Sequence, residues 1–256
     1  MVNFYAILKK ELGSYFKSPI AYMVITVFSV ISGYFFYSLF ALFGVMSVQS
    51  MNNPDIQAAL NITEEVVGPV FSTMSILILF MTPFLTMRLF SEEKKSGTIE
   101  LLMTFPIRDT EIILGKFGAC FITFLVMLAP SIFYQIILFI LGKPEIGPII
   151  SGYIGIILMG ASFISLGILI STMTENQIIA AVVTFGSLLL FWIIQWAASF
   201  TGPVLAKILI HLSIIEHYQE FARGVIDTND AIFYLLFTFF FLFLTMRSLE
   251  SKKWRS

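Results

Sequence analysis

The chain has 256 residues, of which 58% are apolar, 16% are aromatic and only 12% are charged, and its mean hydropathy is +0.92. Because a soluble domain carries about 25% charged residues, this composition excludes a water-soluble globular fold. The 15 Lys and Arg residues nearly balance the 16 Asp and Glu residues, so the chain lacks the basic excess expected of a protein that binds nucleic acid.

The first predicted element is an amphipathic helix over residues 1–18. Its apolar side chains fall on one helical face and three lysines lie opposite, a pattern typical of a helix lying in the lipid headgroup layer. The lysines are Lys9, Lys10 and Lys17, and these charges also argue against a cleavable signal peptide. Pro19 follows directly, and because proline does not continue a preceding helix, we expect the chain to turn there into the membrane.

Stretches without charged residues then predict six transmembrane helices. The first five stretches each exceed the roughly 20 residues that a helix needs to cross a bilayer. The sixth has sixteen uncharged residues, so its flanking residues Asp230 and Arg247 are expected at the two interfaces. The predicted spans are residues 19–46, 66–90, 112–141, 149–173, 177–200 and 230–248. The predicted fold is an all-α polytopic membrane protein with one membrane domain over residues 1–256.

Basic residues are unevenly distributed among the segments that connect these spans. Twelve of the fifteen lie in the N-terminal segment, the second loop and the C-terminal tail, and only three lie in the remaining loops. Since cytoplasmic segments carry an excess of Lys and Arg, this asymmetry predicts that both termini and the second and fourth loops are cytoplasmic.

The second loop contains a short predicted helix over residues 97–106. Its boundaries follow from a break at Ser96-Gly97, a capping residue at Thr98 and a stop at Pro106. Its apolar side chains are Leu101, Leu102 and Phe105. Apolar groups held outside the bilayer need a partner, and either the membrane surface or another protein would serve.

An outer segment over residues 201–229 follows the fifth span. It contains an apolar run too short to cross the membrane, which predicts a re-entrant or interfacial helical hairpin. Three of its polar residues are candidates for an outer gate, namely Glu216, His217 and Glu220. A solvated helix face is the alternative for the two glutamates. His211 lies six residues before His217, which on one helix would place the two rings on opposite faces and disfavours a metal site.

Chemically reactive residues are scarce within the spans. No nucleotide-binding GxxxxGK[S/T] motif occurs in the sequence, and the uncharged stretches hold no ionisable side chain that an ion-coupled carrier would use. The most polar residues there are Gln135 and Gln195. We predict that they are interhelical hydrogen-bond partners or translocation contacts. Cys120 has no partner for a disulfide. We therefore predict no catalytic residue and no metal site.

Small residues that predict close helix packing recur in the fourth span, at Ser151, Gly155, Ala161 and Ser165.

The second loop also resembles a known family. Residues 92–106, followed by Gly115-Lys116, are similar to the coupling-loop signature of the permease subunits of ABC-2-type exporters. Further matching segments are residues 10–12, 16–22, 174–178, 216–218 and 223–227. Residues 216–218 and 223–227 are similar to the gliding-motility-associated branch of the family.

The resemblance implies a subunit of the bacterial inner membrane that binds a cytoplasmic ABC ATPase. A second permease copy, or a related membrane subunit with a large extracytoplasmic domain, would complete the assembly. ATP and Mg would be bound by the ATPase, and this chain would not be catalytic by itself. The residues to which the resemblance assigns ATPase coupling are Glu92, Glu93, Gly97, Thr98, Glu100, Leu101, Leu102, Phe105, Pro106, Glu175 and Asn176.

The expected function is therefore export of a substrate across the membrane, driven by ATP hydrolysed in a partner. The alternative is a membrane scaffold or mechanotransmitting subunit of an ATPase complex that transports nothing. The 28 phenylalanines would suit a lipid-linked cargo, but they equally suit contact with lipid, so the sequence does not identify the substrate.

Overall fold

The computed structural model describes residues 2–50, 61–100, 107–142 and 144–253, and these residues form helices and turns without any β-strand. Six helical segments are long and apolar enough to cross a membrane, as the sequence predicted. In chain order the helices are α1 Val2–Lys17, α2 Pro19–Ser50, α3 Gly68–Thr86, α4 Ser91–Lys95, α5 Asp109–Leu128, α6 Ile132–Leu141, α7 Ile146–Met173, α8 Gln177–Ala198, α9 Pro203–Leu212, α10 Ile214–Ala222 and α11 Thr228–Lys253.

The second and third spans are each built from more than one helix. The second span, Thr63–Lys95, begins with a π-helical turn at Thr63–Val67 and is interrupted by a turn at residues 87–90 between α3 and α4. The third span, Asp109–Leu141, joins α5 to α6 through a 3₁₀ turn at Ala129–Ser131, where Pro130 has no backbone N–H to continue an α-helix.

A hydroxyl group from another span satisfies the peptide groups freed by the interruption after α3. The buried Ser171 Oγ, near the end of α7, accepts hydrogen bonds from the backbone N–H groups of Phe90 and Ser91, at 3.0 and 3.1 Å. The same hydroxyl donates to the carbonyl oxygen of Met87 at 3.2 Å. Because an unpaired buried peptide group is costly, this side chain stabilises the turn.

Helix α7 lies at the centre of the bundle and packs against α3, α5, α8, α10 and α11. Glycines allow these close approaches: a Cβ atom at Gly160 would stand 2.2 Å from Cζ of Phe124, and one at Gly167 would stand 2.3 Å from Oγ1 of Thr86. Three of the four small residues singled out from the sequence are buried, namely Ser151, Gly155 and Ser165. Ala161 is half-buried.

The apolar face of α1 packs on α5. Gly115 and Gly118 of α5 lack side chains and leave room for Ile7 and Leu8. At the far end of α1, the buried Tyr15 hydroxyl donates a 2.6 Å hydrogen bond to the Leu85 carbonyl oxygen. These contacts hold α1 against the same end of the bundle as the turn after α3.

Candidate functional site

A buried charge cluster lies where α1, α4 and α5 meet, and it consists of Lys10, Glu11, Glu93 and Lys116. Lys116 is at its centre, with only 1% of its side chain exposed. Its Nζ atom lies 2.9 Å from Oε1 of Glu11 and 3.0 Å from Oε2 of Glu93. The ammonium group also donates a 2.6 Å hydrogen bond to the carbonyl oxygen of Leu89, in the turn before α4.

Lys10 completes the cluster from the solvent side. Its Nζ atom lies 3.2 Å from Oε1 of Glu93 and 3.8 Å from Oε1 of Glu11. Partial burial is the largest single influence on Lys10 and lowers its pKa, but the charge and hydrogen bond of Glu93 together with the charge of Glu11 outweigh burial and raise the pKa of Lys10 above its ordinary value. Two ammonium groups therefore face two carboxylates, and the cluster is neutral overall.

This arrangement fixes the position of the loop that carries the predicted coupling segment. A buried charge is tolerated when it is paired, so separation of α1, α4 and α5 would break the ion pairs of Lys116 with Glu11 and Glu93 and is opposed by their loss. Four residues beyond Glu93, Gly97 has a φ of +70°, a left-handed conformation that suits glycine and ends α4. The cluster thus anchors the chain directly before Gly97.

The predicted coupling residues are only partly described. Helical conformation resumes at residues 98–100, where Thr98 and Glu100 are exposed, and the Thr98 hydroxyl lies 2.9 Å from that of Ser96. Leu101, Leu102, Phe105 and Pro106 lie outside the described residues. Glu92 is exposed, whereas Glu93 is half-buried and pairs with Lys116.

The fourth loop approaches this region, because α8 begins beside α4. Glu175 and Asn176 are exposed there. The Asn176 side-chain oxygen accepts a 2.9 Å hydrogen bond from the backbone N–H of Ile178, which makes Asn176 the N-cap of α8. Its observed contact is therefore local, and the surface beside it is shared by the second and fourth loops.

The two glutamines of the spans lie in different surroundings. Gln135 on α6 is buried, and its amide interacts with the Tyr153 hydroxyl without reaching good hydrogen-bond geometry. Gln195 on α8 is half-buried, and its Oε1 atom accepts a 3.4 Å hydrogen bond from the hydroxyl of Ser213, between α9 and α10. Gln195 therefore contacts the outer segment.

The prediction that His211 and His217 face apart was wrong. It assumed one helix, but α9 ends at Leu212 and α10 begins at Ile214, and the two ring centroids are 5.2 Å apart. His217 is buried, with Nδ1 2.7 Å from Oδ1 of Asp230 and Nε2 2.9 Å from the His211 carbonyl oxygen. The ring therefore joins α10 to the start of α11.

The other two gate candidates are at the surface. Glu216 is exposed, and Glu220 is half-buried and forms a 3.2 Å ion pair with the exposed Arg223 on the same helical turn. The structure therefore does not gather the three candidates into one site. Gly224, with a φ of +95°, ends α10 just beyond this pair.

A cleft of about 1,020 Å³, which the sequence analysis missed, lies between α3, α7, α8 and α10; we call it the outer cleft because it is lined by part of the predicted outer segment, residues 201–229. Glu64, Glu145 and Arg223 provide charges at its rim, and the Ser72 and Thr73 side chains continue a polar lining along α3. The Tyr218 hydroxyl adjoins the cleft, is buried and has no hydrogen-bond partner among the described residues; burial raises its pKa well above its usual range. The hydroxyl residues Ser72, Thr73 and Ser75 were the available sequence signal.

Six apolar spans, of which the glycine-rich fourth, α7, is central, define an all-α polytopic membrane protein. The family described as ABC-2 family transporter protein matches residues 5–246, and the chain belongs to this family. Members of the family are transmembrane components of transporters and are not catalytic themselves. No curated protein sequence matches the chain significantly.

Proposed function

We propose that the chain is the permease subunit of an ATP-driven exporter and that an ABC ATPase docks on the second loop beyond Gly97. The observation that carries this proposal is the buried charge cluster, because it rigidly joins that loop to α1 and α5. Within the family, the similarity of residues 216–218 and 223–227 supports assignment to the gliding-motility-associated branch. A second permease copy or a related membrane subunit would complete the complex.

In this mechanism, ATP and Mg are bound by the ATPase, and this chain converts the movement of the ATPase into movement of its spans. A push on the segment beyond Gly97 moves α4, because only the turn at Ser96-Gly97 separates them. Glu93 carries the displacement to Lys116 on α5 and to Lys10 on α1. The helices at this end then move as one body, with both termini on the cytoplasmic side.

We further propose that the outer cleft is the exterior end of the translocation path. Its polar lining along α3 offers hydroxyl oxygens as hydrogen-bond acceptors within an otherwise apolar span. The scaffold alternative makes no use of such a lining. The chemical identity of the exported substrate does not follow from this surface.

The proposal is tested by replacing Leu102 with Asp. If Leu102 is buried against the ATPase, its burial contributes roughly 1.5–3 kcal/mol, and an added unpaired carboxylate increases the loss. The expected result is loss of ATPase co-purification from membranes that contain equal amounts of permease. Val225→Asp is the control, because Val225 is exposed at the other end of the bundle, beyond α10.

Equal recovery of the ATPase with wild-type and Leu102→Asp permease would contradict docking on this segment. If the ATPase still binds but its activity is unchanged by substitutions in the spans, the scaffold alternative is favoured instead.

A further inference from the structure

A second charged surface, which shares only Lys10 with the buried charge cluster, opens between α1 and the turn after α3. This basic groove has a volume of about 690 Å³, and its lining residues are Lys9, Lys10, Gly13, Ser14, Lys17, Ser18, Arg88 and Glu92. Four cationic side chains therefore face a single carboxylate, that of Glu92. Such an excess of positive charge in a concave surface favours an anionic ligand.

The geometry of α1 opens the groove. Lys9, Gly13 and Lys17 are spaced four residues apart, so they lie along one stripe of the helix, opposite the face that packs on α5. Gly13 has no side chain, and no heavy atom lies within 4 Å of where its Cβ would be. The two lysines thus border an open gap about 12 Å long.

Most of these cations are not neutralised by the protein. Lys10 belongs to the buried charge cluster, but among the described residues no carboxylate forms an ion pair with Lys9, Lys17 or Arg88. Arg88 is instead held in place by a 3.0 Å hydrogen bond to the Ser14 hydroxyl and by the Tyr15 ring, whose centroid lies 4.7 Å from its guanidinium carbon. An oriented guanidinium with remaining N–H donors suits the oxygens of a phosphate group.

The position of the groove indicates the source of that phosphate. Lys17 and Ser18 lead directly into α2, the first span, so the groove lies beside the point where the chain meets the bilayer. Phe16 and Tyr22 stand next to it as an exposed aromatic pair, with ring centroids 6.3 Å apart. Aromatic residues of this kind concentrate at the headgroup level of membranes.

We propose that the basic groove binds the headgroup phosphate of an anionic phospholipid. Arg88 and the two lysines of the α1 stripe contact the phosphate, and the acyl chains lie along the exposed side of α2. This lipid would fix α1 at the membrane surface. The proposal requires neither the ATPase nor the assumed export activity.

The test is equilibrium binding of phosphatidylglycerol with an acyl-chain label to the detergent-purified full-length protein. Because each lysine near an anionic surface contributes about 1 kcal/mol, the double variant Lys9→Gln/Lys17→Gln should bind roughly 30-fold more weakly. The matched control is Lys95→Gln/Lys207→Gln, which removes the same charge from exposed positions outside the groove and should bind like the wild type. Thermal unfolding of all three proteins establishes that the variants are folded.

Competition distinguishes the sources of the phosphate. Unlabelled phosphatidylglycerol should displace the probe, whereas phosphatidylcholine and inorganic phosphate should not do so at the same concentration. Displacement by inorganic phosphate as efficient as by the lipid would overturn the assignment to a lipid headgroup. Equal binding by the groove variant and the control would overturn the site itself.

Discussion

Replacing Lys116 with Met removes the central charge of the buried cluster and keeps a side chain of similar length. The variant leaves Glu11 and Glu93 close together in a largely buried site, with the mostly exposed Lys10 as their remaining ion-pair partner. We expect the protein to lose stability and α1 to detach from α5, because the two carboxylates repel each other and the Leu89 carbonyl oxygen loses its donor.

The size of the effect follows from the distances. At about 3 Å and an effective dielectric constant of about 20, each ion pair of Lys116 is worth roughly 5 kcal/mol before desolvation is subtracted. Desolvation cancels much of this attraction, yet removing one partner of a buried pair still costs about 3–5 kcal/mol. For a chain of this length, that corresponds to a decrease in the unfolding temperature of roughly 10 °C.

The assay is thermal unfolding of the purified protein in detergent, with hydrogen exchange of α1 peptides as a local readout. Lys95→Met is the matched control, because Lys95 is exposed at the end of the same short helix, α4. Adding Glu93→Gln to Lys116→Met should restore part of the stability, since one of the two stranded carboxylates is then neutral. An unchanged unfolding temperature and unchanged exchange in Lys116→Met would refute the view that the cluster holds these helices together.

Two further predictions concern the central helix and the topology. Gly160→Ala should destabilise the bundle by about 1–3 kcal/mol, because its Cβ would overlap the buried Phe124 ring. Gly147→Ala is the control, because no atom lies within 4 Å of its Cβ position, and it should not destabilise the bundle. Equal unfolding temperatures for the two variants would contradict the packing argument. Reporter fusions at Asn53 and Asp227 should give an exterior signal and those at Ser96 and Ser256 a cytoplasmic one, as the positive-inside rule requires; a cytoplasmic signal at Asn53 would reverse the orientation.

Hydropathy predicted the spans because membrane insertion depends on local composition. The 3₁₀ turn of the third span also has a local signal in Pro130. The interruption of the second span has none, since neither proline nor glycine occurs at residues 87–90. Its peptide groups are satisfied by Ser171, about 80 positions away in the chain, and no pattern within the second span could have revealed this.

The buried charge cluster shows the same limit. Glu11, Glu93 and Lys116 come from three separate segments, so the sequence presents them only as charges at the edges of apolar stretches. Glu93 was therefore assigned to ATPase coupling with no indication of its ion-pair partners, Lys10 and Lys116. The orientation of His217 was predicted wrongly for a related reason. One continuous helix would separate the rings of His211 and His217, but the break at Ser213, between α9 and α10, brings them together.

The three hydrogen bonds of Ser171 have a mechanical consequence. They attach the turn after α3 to the end of α7, so the second span cannot slide past the fourth at this level without leaving two peptide N–H groups unpaired. Lys94 reinforces the attachment by donating to the carbonyl oxygen of the neighbouring residue Thr172. A force applied to α4 therefore reaches the second and fourth spans together, and any movement between them must be accommodated further along the helices, toward the opposite membrane surface.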